Sequence, residues 1–89
     1  MKRLRIKVIG DVQGVFYRFS AKIVADDAGI TGWAQNEPDG SVSMVIEGKD
    51  EVLEKFTQWA EEGSPMAAVE KVLVSEEEYT GEFKKFEVK

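Results

Sequence analysis

The chain has 89 residues, no cysteine, no histidine and a formal net charge of −5. That length holds one small core, read here as a single domain over residues 1–89, and 43% hydrophobic with 33% charged residues is the balance of a folded globule rather than a disordered segment. The missing cysteines exclude disulfides and thiolate nucleophiles, and the acidic balance argues against a general binder of nucleic acid or anionic membrane.

No apolar run approaches the length of a bilayer and no secretory signal is read at the start, so a cytoplasmic location is expected. Arg3 to Ile9 alternates, with Leu4, Ile6 and Val8 on one side and Arg3, Arg5 and Lys7 on the other. This is the period of a half-buried strand, and its basic side reads as a solvated face. Gly10-Asp11-Val12-Gln13-Gly14-Val15-Phe16-Tyr17-Arg18 follows. Two glycines let the backbone turn sharply there, and the stretch opens a helix near Phe16. A loop entering a helix N-terminus offers unpaired N–H groups and the positive end of the helix dipole, which suits a phosphate or carboxylate. Arg18, one turn in, can add its five-donor guanidinium. A tight connection with an ordinary surface arginine is the competing reading.

Tyr17, Ala21, Val24 and Ala28 recur at helical spacing, with Phe16, Phe19 and Ile23 beside them, and Gly29 ends the helix. The aromatic residues of this stretch are expected in the core. Ile30 to Asn36 and Ser41 to Gly48 read as two strands joined by the turn Glu37-Pro38-Asp39-Gly40, hence a hairpin. Asp50 to Glu62 is a second helix, acidic at its start and closed by Gly63 and Pro65, with Val52, Leu53, Phe56, Trp59 and Ala60 as its apolar stripe. Val69 to Ser75 reads as a fourth strand with Val72 and Val74 on one face, Glu76 to Glu78 as a solvated acidic edge or loop, and Lys84 to Val88 as a short closing strand with Phe86 and Val88 inward. The order predicts an α+β fold, the ferredoxin-like βαββαβ sandwich. An antiparallel sheet would carry two helices on one face, with a short C-terminal strand.

Asn36, in Gly32-Trp33-Ala34-Gln35-Asn36, offers an uncharged amide that can hold a water or, equally, support the turn before Pro38. Together the two stretches resemble the signatures of the acylphosphatase family. The first matches as Gly10, then Val12-Gln13-Gly14-Val15, then an aromatic pair and Arg18. The second matches as Gly32-Trp33-Ala34-Gln35-Asn36, with Gly40, Val42 and Gly48 at the right spacing. Gly63-Ser64-Pro65, Val69 and Val72 also resemble the family, so the likeness covers nearly the whole chain. Tyr17 departs from the commoner phenylalanine or methionine, and its hydroxyl requires a partner if buried.

The resemblance implies hydrolysis of acyl phosphates to a carboxylate and inorganic phosphate, with no metal and no cofactor, by a monomer whose partners are these small molecules, without nucleic acid or membrane. It implies Arg18 as the phosphate ligand and Asn36 as the residue that positions the attacking water. The amides of Gly14, Val15, Phe16, Tyr17 and Arg18 form the expected phosphate-binding set. The residue inventory agrees. Phosphoryl transfer asks chiefly for placement and charge stabilisation, and a carboxylate leaves without being protonated. A phosphoaspartate route through Asp11 would call for a magnesium site, and no carboxylate cluster near Asp11 provides one. The alternative is a non-catalytic ferredoxin-like module that binds an anion or RNA. An RNA reader would need exposed aromatics on its central strands, and Ser41 to Val45 has none.

Overall fold

A computed structural model describes residues 1–89. The elements run β1 (Lys2–Asp11), α1 (Tyr17–Ala28), β2 (Thr31–Asn36), β3 (Val42–Gly48), α2 (Asp50–Glu62), β4 (Ala68–Glu77) and β5 (Phe86–Val88). The sheet order is β4-β1-β3-β2-β5, so β3 lies between β1 and β2. The first four of these neighbours pair antiparallel as expected. β5 instead pairs parallel with β2, which makes the sheet mixed.

Register explains the two faces. Leu4, Ile6 and Val8 stand opposite Ile46, Met44 and Val42, and the last two rows continue into β2 at Ala34 and Asn36. These positions face the helices, and Ile6, Val8, Ala34, Val42, Met44 and Ile46 are fully buried. Tyr17, Ala21 and Ala25 from α1 and Leu53, Phe56 and Ala60 from α2 complete this layer, so the helical periods read from sequence mark the covered sides. The β2–β3 turn forms as its residues predict, with the Gly40 amide donating to the Glu37 carbonyl at 3.1 Å.

The opposite face is not simply solvated. Arg3 lies among Glu47, Glu77 and Glu82, and the segment between β4 and β5 folds over it. Glu47 is buried, and its carboxylate accepts from the amides of Thr80 (3.0 Å) and Gly81 (3.2 Å). Glu77, placed by sequence in a solvated acidic edge, belongs to β4 and accepts from Arg3 and Arg5. The strand is longer than expected because its last rungs pair with Arg3 and Leu4. Val74 is 47% exposed, since β4 is an edge strand that α2 covers only in part. Val88, expected inward, is 41% exposed, whereas Phe86 is buried against Phe56.

Candidate active site

β1 is bent where it leaves the sheet. Its pairing with β4 shifts between Ile9 and Gly10, and a Cβ on Gly10 would stand 2.3 Å from the Ala68 carbonyl oxygen. Only glycine allows that approach, and the bulge turns the chain into the loop Val12–Phe16. Val12 is buried and anchors one end of the loop in the core. The Gln13 side-chain amide donates to the carbonyls of Glu37 (2.8 Å) and Ser41 (3.0 Å), tying the loop to both sides of the β2–β3 turn.

Gly14 has φ 73°, and Phe16, the residue that caps α1, has φ 62°. Phe16 is the one non-glycine residue of the chain with positive φ. Left-handed backbone at a bulky residue costs on the order of 1–2 kcal/mol, so the surrounding contacts hold it there. Left-handed residues interrupting the chain at Gly14 and Phe16 are the backbone pattern of which anion-binding nests are made. The amides of Gly14 through Phe19 find no main-chain acceptor. The Val15 carbonyl is drawn the other way by the buried Ser64 hydroxyl, which donates to it at 2.7 Å.

Tyr17 fixes the start of α1. Its hydroxyl donates to the Ala60 carbonyl at 2.8 Å, in the last turn of α2, where carbonyls lack helical partners. Burial pushes the phenol up, so it remains a neutral donor. The ring also packs on Trp59, with centroids 5.1 Å apart.

Gly14, Phe16, Tyr17 and Arg18 line one cavity of about 260 Å³, together with Val12, Phe19 and Val88. Arg18 donates to the main-chain oxygen of Lys89, just past β5. It is the one arginine without an acidic side chain at ion-pair distance, since Arg3 and Arg5 both have Glu77. A guanidinium so placed beside free amides can hold a tetrahedral oxyanion through several charge-assisted bonds.

The cavity thus brings together most of the residues expected from sequence. Val15 contributes backbone but does not line it. Asn36 does not line it either. It stands exposed at the end of β2, in the row Val8–Val42–Asn36, on the helix-facing side and on the edge from which the loop departs. The turn does not need Asn36. Asp39 does that work, accepting from the Ser41 amide (2.9 Å) and hydroxyl (2.5 Å). The Ser41 hydroxyl and then Lys7 hold the Asp39 carboxyl well below its ordinary range. Asp11 is exposed and outside the cavity, and no group of three or more acidic side chains is arranged to hold a metal ion.

A further expectation is overturned. Phe16 and Phe19 are not core residues but 71% and 60% exposed, at the cavity rim. Helical spacing marked two apolar stripes on α1, and only the one through Tyr17, Ala21 and Ala25 is covered. Sequence reading also assigned no role to Gln13 or Ser64. Nothing local reveals that their partners lie 24 to 49 positions away.

Known proteins resemble this chain over nearly its whole length. The family model for acylphosphatase matches residues 4–88. The acylphosphatase of Thiobacillus denitrificans is 45% identical over 98% of this chain and 96% of its own length. That of Methylococcus capsulatus is 46% identical over 99% and 96%. Among solved structures, the acylphosphatase from Bacillus subtilis superposes with a TM-score of 0.95 at 33% identity, covering 99% of this chain and 98% of its own.

Proposed function

The chain belongs to the acylphosphatase family, and on that premise we propose that it hydrolyses the carboxyl–phosphate bond of acyl phosphates, with Arg18 and the loop amides holding the phosphoryl group and Asn36 placing the water. The observation that carries this reading is the cavity in which the unpaired amides of the Gly14–Phe19 stretch meet an arginine free of acidic side chains.

The phosphoryl oxygens sit on the amides of Gly14 to Arg18, and the guanidinium offsets the charge that grows on them in the transition state. A water held by the Asn36 amide attacks phosphorus. The bond from phosphorus to the acyl oxygen breaks, and its electron pair leaves with the carboxylate. The water's proton passes to a phosphate oxygen, so the products are a carboxylate and inorganic phosphate. No side-chain base is required, in keeping with a chain without histidine. No metal or other cofactor takes part.

Residues 1–89 act in this reading as one domain, a cytoplasmic monomer that binds small acyl phosphates and neither nucleic acid nor membrane. No helix is long and apolar enough to cross a membrane. An RNA reader would use the open face of the sheet, but the cations there are engaged by Glu47, Glu77, Glu82 and Asp39, and Arg5 and Lys89 lie over the Trp33 ring.

The test is phosphate release from acetyl phosphate in the presence of excess EDTA. Turnover with competitive inhibition by inorganic phosphate is expected. Loss of turnover under EDTA that magnesium restores would overturn the mechanism.

A further inference from the structure

Ser64 is buried and does not line the cavity, yet it grips the loop that does. Its hydroxyl donates to the Val15 carbonyl at 2.7 Å, from 49 positions away in sequence. That carbonyl and the Phe16 N–H are the two ends of one planar trans peptide, so they point in opposite directions. Fixing one end fixes the other. With the carbonyl held toward buried Ser64, the Phe16 N–H is turned away from the interior, and it is Phe16, not Val15, that lines the cavity. This orientation carries the left-handed φ of 62° at Phe16, a conformation that a bulky side chain disfavours. Rotating the peptide by half a turn would return Phe16 to negative φ. It would also break the bond to Ser64 and put the carbonyl where the N–H now stands.

Ser64 is itself held in place. The Gly63 amide donates to the Trp59 carbonyl at 2.8 Å and the Ala67 amide to the Ser64 carbonyl at 3.0 Å, so the turn after α2 is closed on both sides of the serine. The turn also rests on Tyr17, since a Cβ on Gly63 would stand 2.9 Å from the Tyr17 ring. Resting on the reading of the loop as a phosphoryl site, we propose that Ser64 is a positioning residue whose hydroxyl sets the Val15–Phe16 peptide so that the Phe16 N–H meets the phosphoryl oxygens. Ser64 touches no substrate atom and acts through the peptide alone. Without the hydroxyl, the peptide relaxes toward the orientation that the Phe16 side chain prefers, and a carbonyl dipole then faces the anion site and repels phosphate oxygens. A hydrogen bond that served the fold alone would leave the phosphate affinity of the folded protein unchanged.

The experiment titrates inorganic phosphate into the wild type, Ser64→Ala, Ser64→Cys, Phe16→Gly and the double variant Ser64→Ala with Phe16→Gly. Backbone amide NMR reads the binding, well below each melting temperature, and turnover of acetyl phosphate is measured alongside. In the wild type, phosphate should shift the Phe16 amide. Ser64→Ala should weaken phosphate binding about tenfold, the scale of one hydrogen bond, and lower turnover with it. Ser64→Cys should act in the same direction, because a thiol of similar size is a weak donor. In the Phe16→Gly background the Ser64→Ala change should weaken binding by no more than about threefold, since glycine takes positive φ without strain. Folded Ser64→Ala or Ser64→Cys protein with wild-type phosphate affinity overturns the positioning role. An equal loss in both backgrounds does so too. A Phe16 amide that phosphate leaves unmoved, while its neighbours in the loop respond, overturns it whether or not the variants fold. Wild-type protein that neither binds phosphate nor turns over acetyl phosphate overturns the hydrolase reading itself.

Discussion

Arg3 and Arg18 carry the same charge in opposite surroundings. Arg3 is 14% exposed and reaches Glu82 at 2.6 Å, Glu77 at 3.1 Å and Glu47 at 3.5 Å, with its guanidinium carbon 5.0 Å from the centre of the Phe83 ring. Arg18 has the main-chain oxygen of Lys89 and no acidic side chain. In a chain of net charge −5, acidic partners are plentiful, so an arginine without one stands out. The Arg3 cluster is complete in itself. Its hydrogen bond to Glu82, its largest influence, raises the Arg3 pKa, and the same pair holds Glu82 below the ordinary carboxylate range. The Arg18 neighbourhood has donors in excess, namely a guanidinium and a run of unpaired amides, and an anion suits them. One arginine closes a structure and the other leaves a site open.

Substitution at each arginine separates these two uses. Arg18→Ala should lower turnover of an acyl phosphate by about 10²–10³-fold, the scale of one lost electrostatic donor, and should weaken inhibition by inorganic phosphate in parallel. Its melting temperature should hardly move, since only the bond to the Lys89 main-chain oxygen is lost. Arg18→Lys should recover little, because a point charge cannot reproduce the planar fork. Phosphate inhibition at the wild-type level in Arg18→Ala would place the anion elsewhere.

Asn36→Ala tests the uncharged half of the proposed site. A residue that places water acts in the transition state, so kcat should fall while the phosphate inhibition constant holds. Because Asp39 rather than Asn36 supports the turn, the melting temperature should stay close to wild type. A folded Asn36→Ala protein with unchanged kcat would remove Asn36 from the mechanism.

How much of this could be read in the chain differs between the two regions. The loop announces itself locally, because Gly10, Gly14 and Arg18 lie close together in sequence and their backbone and charge requirements are properties of residue type. Alternation in β1 and the periodicity of α2 likewise encode which side is apolar, and the elements formed within a residue or two of the expected bounds. What periodicity leaves out is which apolar stripe a neighbour covers. Phe16 and Phe19 were therefore expected inside and lie outside. The Arg3 cluster was illegible for a related reason. Arg3 meets Glu47, Glu77 and Glu82 at separations of 44, 74 and 79 residues, and only the sheet order brings them together. An alternating basic strand and an acidic run both look solvated until the chain closes one over the other.

Arg3→Ala is the counterpart of the Arg18 variant. Glu47 keeps its bonds to the Thr80 and Gly81 amides but loses the positive charge beside it, and the segment that folds over the sheet loses Arg3's bonds to Thr80 and Glu82. A stability loss of about 1–3 kcal/mol by denaturant unfolding is expected. Catalysis per folded molecule should match wild type, since no atom of this cluster lines the cavity. A large drop in kcat without a drop in stability would mean that the two regions are coupled and that the contrast between them is false.

The smallest effect is expected at Glu77, which is shared between Arg3 and Arg5. Arg5 Nε donates to one carboxylate oxygen at 2.6 Å and Arg3 Nε to the other at 3.1 Å. These bonds, that to Arg5 foremost, hold the Glu77 carboxyl below its ordinary value of 4.5. A group whose pKa is lower folded than unfolded stabilises fully above the unfolded value, and that contribution disappears as pH falls through the folded one. Wild-type melting temperature should therefore be level at neutral pH and decline below about pH 4.5. Glu77→Gln cannot ionise. It should melt lower than wild type at neutral pH, and the gap should narrow as the solution is acidified and the wild-type carboxylate is protonated. The side chain is 32% exposed, so water and salt screen the pairs, and raising the ionic strength at neutral pH should narrow the gap as well. Turnover and phosphate inhibition should not change. A gap of constant size across pH and salt would mean that Glu77 acts through its shape and hydrogen bonds alone, and that the carboxylates around Arg3 neutralise its charge without stabilising the fold.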